Sequence, residues 1–322
     1  MRSAIAIDLG GSRIKYGLVD ESGKIIQRGS EPTGPLDVEQ VAQRLAQRIN
    51  ALKQRAAVLG LDCVGAGLGV PGGIYEDRAR ISQSPNFPGW IDVDLRSPLV
   101  AACDLPVFLE NDANAAAVGE HWIGGGRSFK HMMLYTLGTG VGSGLILDGR
   151  LWRGAFGMAS EAGHICVDPD GPACGCGSHG CAEQFASAPA MVRRARQLIE
   201  LGGGRLMLEL AAGDLQSINA KVIAQAALEG DAQAAQVYRE AGEALGRSCS
   251  AVLNVLNVEL FLFGGGVGAS YDLLETHIRS EITLRTFRIP AQRVKLGRAQ
   301  LGNDAGMVGA ARLALNNDQF GE

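Results

Sequence analysis

Two stretches of this chain follow one plan: a short apolar strand, a turn built of glycine, and a second strand. The first runs through Ala4–Asp8, the turn Gly10-Gly11 and Arg13–Val19. The second runs through Met132–Thr136, the turn Leu137-Gly-Thr-Gly-Val141 and Gly144–Leu147. Apolar runs of this length bounded by glycine read as buried strands joined tightly. A strand follows each turn where a P-loop would open a helix, and the string G-x-x-x-x-G-K-[ST] is absent from both. A plan that recurs in each half of 322 residues predicts two α/β halves facing one another across a cleft. Length favours the same division, since single cores stop growing near this size.

The remaining elements fit that frame. Lys24–Gly29 is a third strand after the turn Ser22-Gly23, and Val38 to about Leu59 is a helix with Val41, Leu45, Ile49 and Leu52 on one face. Val64–Leu68 and Pro106–Leu109 read as buried strands, and Asp112 opens an alanine-rich helix for which it is a good cap. In the second half, helical patterns cover Ile218–Glu229 and Asp231 to about Asn257, followed by a strand at Leu260–Phe263 and a last helix at Ala305–Leu315. No linker-like segment separates the halves, so the boundary lies inside compact structure.

Charge excludes some functions. With 46% hydrophobic and 20% charged residues and a formal net charge of -4, the chain is globular and offers no electrostatic attraction for nucleic acid or an anionic membrane. No uninterrupted apolar run reaches the roughly 18 residues of a membrane span. The start MRSAIAIDLGG enters a strand directly, without the basic and apolar regions of a signal peptide, so a cytoplasmic protein is expected.

Glycine is abundant, 45 residues or about twice the usual share, and gathers in short runs. Three of these runs can cradle phosphate with backbone N–H groups: Asp8-Leu-Gly10-Gly11-Ser12-Arg13, Leu137-Gly138-Thr139-Gly140 continuing to Gly144, and Gly264-Gly265-Gly266-Val267. Each alone is also an ordinary turn. Their pairing, one strand–turn–strand loop per half with Asp8 before the first, favours phosphate, and Asp8 stands where Mg²⁺ would be held through water. The G-x-G-x-x-G string Gly67 to Gly72 is a decoy interrupted by Pro71.

Seven cysteines in a chain without an export signal point to metal binding rather than disulfides. Cys174-x-Cys176-x4-Cys181 offers three thiolates on a glycine-rich loop, which one imidazole would complete as a structural Cys₃His zinc site. His164 and His179 compete for the fourth position, with Cys166 a further candidate thiolate, and spacing does not decide among them. Glu110-Asn111-Asp112-Ala-Asn114 lies where a strand ends and a helix begins; Asp112 is either a helix cap or the carboxylate that takes a proton from a sugar hydroxyl. Glu161 and Glu183 flank the cysteine loop and suit a polyol, because carboxylates accept directionally from hydroxyl groups.

Taken in order, these segments resemble the ROK family of sugar kinases and related repressors over nearly the whole chain. That resemblance implies an α/β protein of the two-domain actin-like ATPase (ribonuclease H-like) fold. It implies a small domain of residues 1–118 and 302–322, carrying the first phosphate loop, and a large one of 119–301 with the second loop, the zinc loop and the adenosine segment Gly264–Val267. It makes Asp112 the general base and His164, rather than His179, the fourth zinc ligand. Sugar contacts would come from Asn86, Asn111, Asp112, Glu161, His164 and Glu183, His164 serving metal and sugar with different ring nitrogens. The expected reaction transfers the γ-phosphate of ATP, with Mg²⁺, to the 6-hydroxyl of a hexose in carbohydrate metabolism. The segment Ser84–Trp90 and the form Glu161-x-Gly-His164 resemble members acting on glucose; N-acetylmannosamine, fructose and allose are the alternatives. A homodimer is implied by the resemblance alone. Where the family's first loop has Thr-Lys this chain has Ser12-Arg13, which keeps the hydroxyl and the charge in a different geometry. The sugar-responsive repressors of the family carry a helix-turn-helix before the first loop, for which seven residues ahead of Asp8 leave no room. A structural actin-like ATPase would need neither the sugar-gripping acids nor the zinc loop.

Overall fold

The structure is a computed structural model that describes residues 1–34, 37–84 and 86–316. Pro85, within the glucose-type segment Ser84–Trp90, and residues 317–322 of the expected small domain lie outside the described residues. The chain forms two compact units, residues 1–130 with 144–160 and from 303 onward, and residues 131–143 with 161–302.

The first unit begins with three strands, β1 (Arg2–Leu9), β2 (Arg13–Asp20) and β3 (Ile25–Pro32), then helix α1 (Val38–Val58) and β4 (Asp62–Val70). A small antiparallel sheet of β5 (Gly73–Ile74), β6 (Arg80–Gln83) and β7 (Ile91–Asp94) precedes α2 (Arg96–Cys103), β8 (Val107–Asn111) and α3 (Asp112–Ile123). The main sheet has the order β3-β2-β1-β4-β8, with β1, β4 and β8 parallel. β1 is buried on both faces, as a central strand must be. Its odd residues Ile5, Ile7 and Leu9 pack with Val41, Leu45 and Ile49 of α1. Its even residues Ala4 and Ala6 meet Met307, Ala310 and Ala311 of the last helix, α12 (Ala305–Leu315). That helix lies unusually close to the sheet: a Cβ on Gly67 would stand 1.8 Å from the Ala310 carbonyl oxygen. Gly67 of the decoy string therefore serves helix packing, while Gly72, at φ +117°, lies against the Gln83 carbonyl.

The second sheet has the order β11-β10-β9-β12-β13, from β9 (Met132–Leu137), β10 (Val141–Leu147), β11 (Arg150–Leu151), β12 (Leu260–Gly264) and β13 (Lys295–Arg298). β9, β12 and β13 are parallel, with Leu260 opposite Met132 and Phe263 opposite Arg298. Helices of the second unit are α4 (Glu183–Ala186), α5 (Ala188–Glu200), α6 (Arg205–Leu210), α7 (Ala220–Leu228), α8 (Ala232–Leu256), α9 (Gly265–Gly268), α10 (Glu275–Arg285) and α11 (Arg288–Arg293). Its core is aromatic: Tyr135 stacks on Phe263 at 5.6 Å between centroids, and Phe263 stacks on Tyr271 at 5.6 Å.

The units divide the chain differently from the expected 1–118 and 119–301. Helix α3 runs unbroken past residue 118 to Ile123. Residues 144–160 join the first unit because Gly144 lies against α3, where an added Cβ would be 2.6 Å from that of Ala117.

Candidate functional site

In the first unit, the parallel strands bring their carboxyl ends to one edge of the sheet, with Asp8 in register with Gly69 and Gly69 with Glu110. Ligands of open α/β sheets bind at such an edge. The turn after β1 is closed by Gly10 N–H donating to the Arg13 carbonyl at 3.0 Å. Thr33 holds it from the far side, its N–H on the Ser12 carbonyl (3.0 Å) and its hydroxyl on that of Gly10 (2.7 Å). Gly11, Ser12 and Arg13 are exposed, and Arg13 Nε donates to Ser30 Oγ at 2.8 Å. Asp8 receives Lys15 Nζ at 3.0 Å, and the same ammonium reaches the Asn303 carbonyl at 3.2 Å. Asn86 is exposed beside the turn, its Cβ 3.1 Å from where a Cβ on Gly11 would stand. The stacked Phe87 and Trp90 rings, 4.4 Å apart, anchor that segment.

The strand-to-helix junction corrects one expectation. Asn111 caps α3, its Oδ1 accepting from Ala113 N (2.9 Å) and Asn114 N (3.0 Å), while its Nδ2 donates to the Gly72 carbonyl at 3.1 Å. Asp112 is the first residue of the helix proper, half-buried, with Oδ1 accepting from Ala113 N at 2.9 Å. Asparagine caps because its β8-end backbone is extended (ψ 142°) while that of Asp112 is already helical.

In the second unit one residue organises the site. Val141, at the start of β10, donates its N–H to Glu183 Oε2 at 2.9 Å. Its carbonyl lies so close to Gly163 that a Cβ there would be 2.0 Å away. The turn Glu161–His164 is thereby pressed against the end of the second glycine loop, and Ala162 N–H donates to Ser143 Oγ at 3.0 Å to hold it. From α8, the buried Ser248 hydroxyl donates to the Ala162 carbonyl (2.9 Å) and pairs with Tyr135 Oη (2.9 Å). The loop itself turns through Gly138 N–H on the Gly140 carbonyl at 2.9 Å, with Thr139 exposed at its tip. A Cβ on Gly140 would stand 2.6 Å from Glu183 Oε2. Gly264 ends β12 and Gly265, at φ +81°, sits where a Cβ would be 2.4 Å from the Leu137 carbonyl, with Gly266 following in open space. The second and third glycine runs thus abut within one unit. Glu161 is solvent-accessible, yet loss of surrounding water raises its carboxyl above the usual value; His164 lowers it and Glu183 raises it further.

The ligating atoms of His164, Cys174, Cys176 and Cys181 all lie within 4.8 Å of one another. Cys174 Sγ is 3.6 Å from His164 Nδ1, and Cys176 Sγ is 3.6 Å from Cys181 Sγ. A tetrahedral zinc with Zn–S near 2.3 Å requires sulfur–sulfur edges of about 3.8 Å, so the donor set fits that ion. Burial pushes the Cys181 thiol up to about 12, while the Ser178 backbone N–H draws Cys176 down; zinc binding would displace the remaining protons. His179 and Cys166 are both exposed and stand outside the cluster. Glu183 Oε1 is 4.0 Å from Cys174 Sγ, so one carboxylate joins the cysteine loop to the second glycine loop.

Sequence reasoning missed Lys15, Thr33, Ser143, Ser248 and Arg153. Only Ser143 stands in a motif, the second glycine run. Arg153 Nε meets Glu110 Oε2 at 2.6 Å, and Glu110 is 1% exposed. The one available signal was Glu110 itself, a carboxylate closing an apolar strand, which requires a buried partner.

A parallel-stranded sheet with glycine turns at its carboxyl edge in each unit, a carboxylate opening a helix, and a Cys₃His loop together define a nucleotide-handling α/β protein of the sugar-kinase type. The chain belongs to the ROK family, whose pattern matches residues 4–317, and its fold is the actin-like ATPase fold expected. It is 37% identical to the glucokinase of Streptomyces coelicolor over 324 aligned residues, covering 99% of both chains. It is 34% identical to the Thermotoga maritima glucokinase, covering 96% of both. A ROK family glucokinase from Streptomyces griseus, solved in complex with glucose and AMPPNP, superposes with a TM-score of 0.83 at 35% identity, covering 98% of this chain and 99% of that one. Among the described residues no helix is long and apolar enough to cross a membrane.

Proposed function

We propose that this protein is an ATP-dependent hexokinase that phosphorylates the 6-hydroxyl of glucose. The observation that carries the reading is the arrangement around Val141. It ties the acids suited to a polyol, Glu161 and Glu183, and the His164 imidazole to a glycine turn whose amides suit phosphate. The full-length similarity to glucokinases supports glucose as the acceptor.

Asp112 accepts the proton of the attacking hydroxyl, which the Asn111 cap favours by sparing Asp112 that structural duty. N–H groups at the tips of the turns Gly10–Arg13 and Gly138–Gly140, other than those of Gly10 and Gly138 that close them, stabilise the transferring group, and Gly264–Gly266 borders the adenosine. Asn86, Asn111, Glu161, His164 and Glu183 are the side chains that hold the sugar. A hydrated Mg²⁺ supplies charge neutralisation on the phosphates and needs one carboxylate from the protein, for which Asp8 beside the first turn fits. His164 Nδ1, Cys174, Cys176 and Cys181 would hold a structural zinc, which would fix the orientation of the imidazole and leave its Nε2 for the sugar. A homodimer in the cytoplasm is the expected working state. ADP release measured over a panel of hexoses tests the reading. Glucose is expected to give the highest kcat/KM, and absence of hexose-dependent ADP release across the panel would exclude a hexokinase.

A further inference from the structure

Glu110 is the least exposed acid at the candidate site, 1% exposed, and its two oxygens face different ways. Oε1 accepts from Asn111 N (3.0 Å) and from Asn114 Nδ2 (3.0 Å), the residues on either side of Asp112–Ala113. Oε2 accepts from Arg153 Nε at 2.6 Å. Arg153 comes from far along the chain, in the stretch 144–160 that returns to the first unit, and its side chain is 11% exposed. A buried carboxylate is strongly destabilising when its partner is removed, and a guanidinium fixes its orientation in a way an ammonium does not. Arg78 lies in the same electrostatic neighbourhood. Burial pushes it down to about 10, with Arg153 lowering it further and Glu110 opposing.

We propose that Arg153 is a positioning residue for the phosphoryl transfer: by orienting Glu110 it fixes Asn111 and Asn114, and with them the carboxylate of Asp112 between. The proposal rests on Asp112 being the general base. Without Arg153, Glu110 loses the bond that fixes its orientation and turns, its hold on both asparagines loosens, and the first turn of α3 shifts. Displacements of about 1 Å in a catalytic group cost roughly 10²-fold in rate. Asn111 is the one sugar contact the variant disturbs, whereas Glu161, His164 and Glu183 keep their own surroundings, so binding changes less than turnover.

The test is steady-state kinetics of Arg153→Ala and Arg153→Lys beside Asp112→Asn, with thermal unfolding of each. Arg153→Ala is expected to lose roughly 10–100-fold in kcat with KM for glucose and ATP within about threefold, and added guanidinium ion restores several-fold of the loss. Arg153→Lys keeps the charge and the fold, and is expected to lose about three- to tenfold in kcat. Should Arg153→Ala not fold, Arg153→Lys alone decides. A kcat within about twofold of the parent for the folded variant overturns the positioning role. So does a loss in Arg153→Ala that guanidinium does not relieve. If Asp112→Asn itself turns over normally, the general-base reading fails instead, whatever the arginine variants do.

Discussion

The two sheets share a strand order, with a central strand, an antiparallel hairpin partner pair on one side and two parallel strands on the other. They differ in one of the faces offered to helices, since the first sheet's other face carries Ile5, Ile7 and Leu9 against α1. The first presents Ala4, Ala6 and Gly67, so small that α12 packs with backbone almost touching backbone. The second presents Tyr135, Phe261 and Phe263, whose rings pack on one another in the core. The difference extends to the candidate site. In the second unit an aromatic hydroxyl links the core to the Glu161–His164 turn through Ser248. In the first, a buried ion pair, Glu110–Arg153, reaches the turn that carries Asp112. One topology thus supports two ways of holding functional side chains: close backbone packing with ionic clamps, and bulky packing with neutral hydrogen bonds.

Substitutions that invert this difference test it. The largest effect is expected for Gly67→Ala, whose methyl meets the Ala310 carbonyl; overpacking of that kind costs about 3 kcal/mol, seen as a lowered melting temperature. An unchanged melting temperature would mean that α12 does not lie against β4. Next, Cys176→Ser should reduce bound zinc from one ion per chain to near none, read by elemental analysis, with KM for glucose rising roughly tenfold as the His164 ring loses its anchor. Retained zinc would refute the four-ligand assignment. Ser248→Ala leaves the buried Tyr135 hydroxyl only the weak Cys249 thiol and removes the donor to the Ala162 carbonyl, and is expected to cost about 1–3 kcal/mol of stability, again read by thermal unfolding. The smallest effect belongs to Gly297→Ala on β13, where the added carbon meets only Leu262 Cδ2 at 3.4 Å; a change of at most about 0.5 kcal/mol is expected. A loss there as large as at Gly67 would erase the contrast between the sheets.

Local chemistry was legible in the sequence where it is self-contained. The last helix matches Ala305–Leu315 end to end, and α1 falls one residue short of the expected Leu59, because its periodic apolar face and flanking glycine are properties of the segment alone. The glycine turns and the Cys174–Cys181 run were equally readable. The small β5–β7 sheet was not, since strands of two to four residues carry no periodicity. Helix α5 did leave a signal that went unread, the Ser187 cap followed by Pro189. The choice of Asn111 over Asp112 as cap turns on backbone angles that neighbouring, similarly polar residues do not reveal. Arg153 stands 43 positions from Glu110, and no local pattern announces such a pairing.

The most direct test of the account follows phosphorus. With ATP, Mg²⁺ and glucose, ³¹P nuclear magnetic resonance should show one sugar 6-phosphate appearing for each ADP formed. The Asp112→Asn protein should bind glucose as the parent does yet form product roughly 10²–10⁴-fold more slowly. Equal rates for the two proteins, or inorganic phosphate in place of the ester, would contradict it.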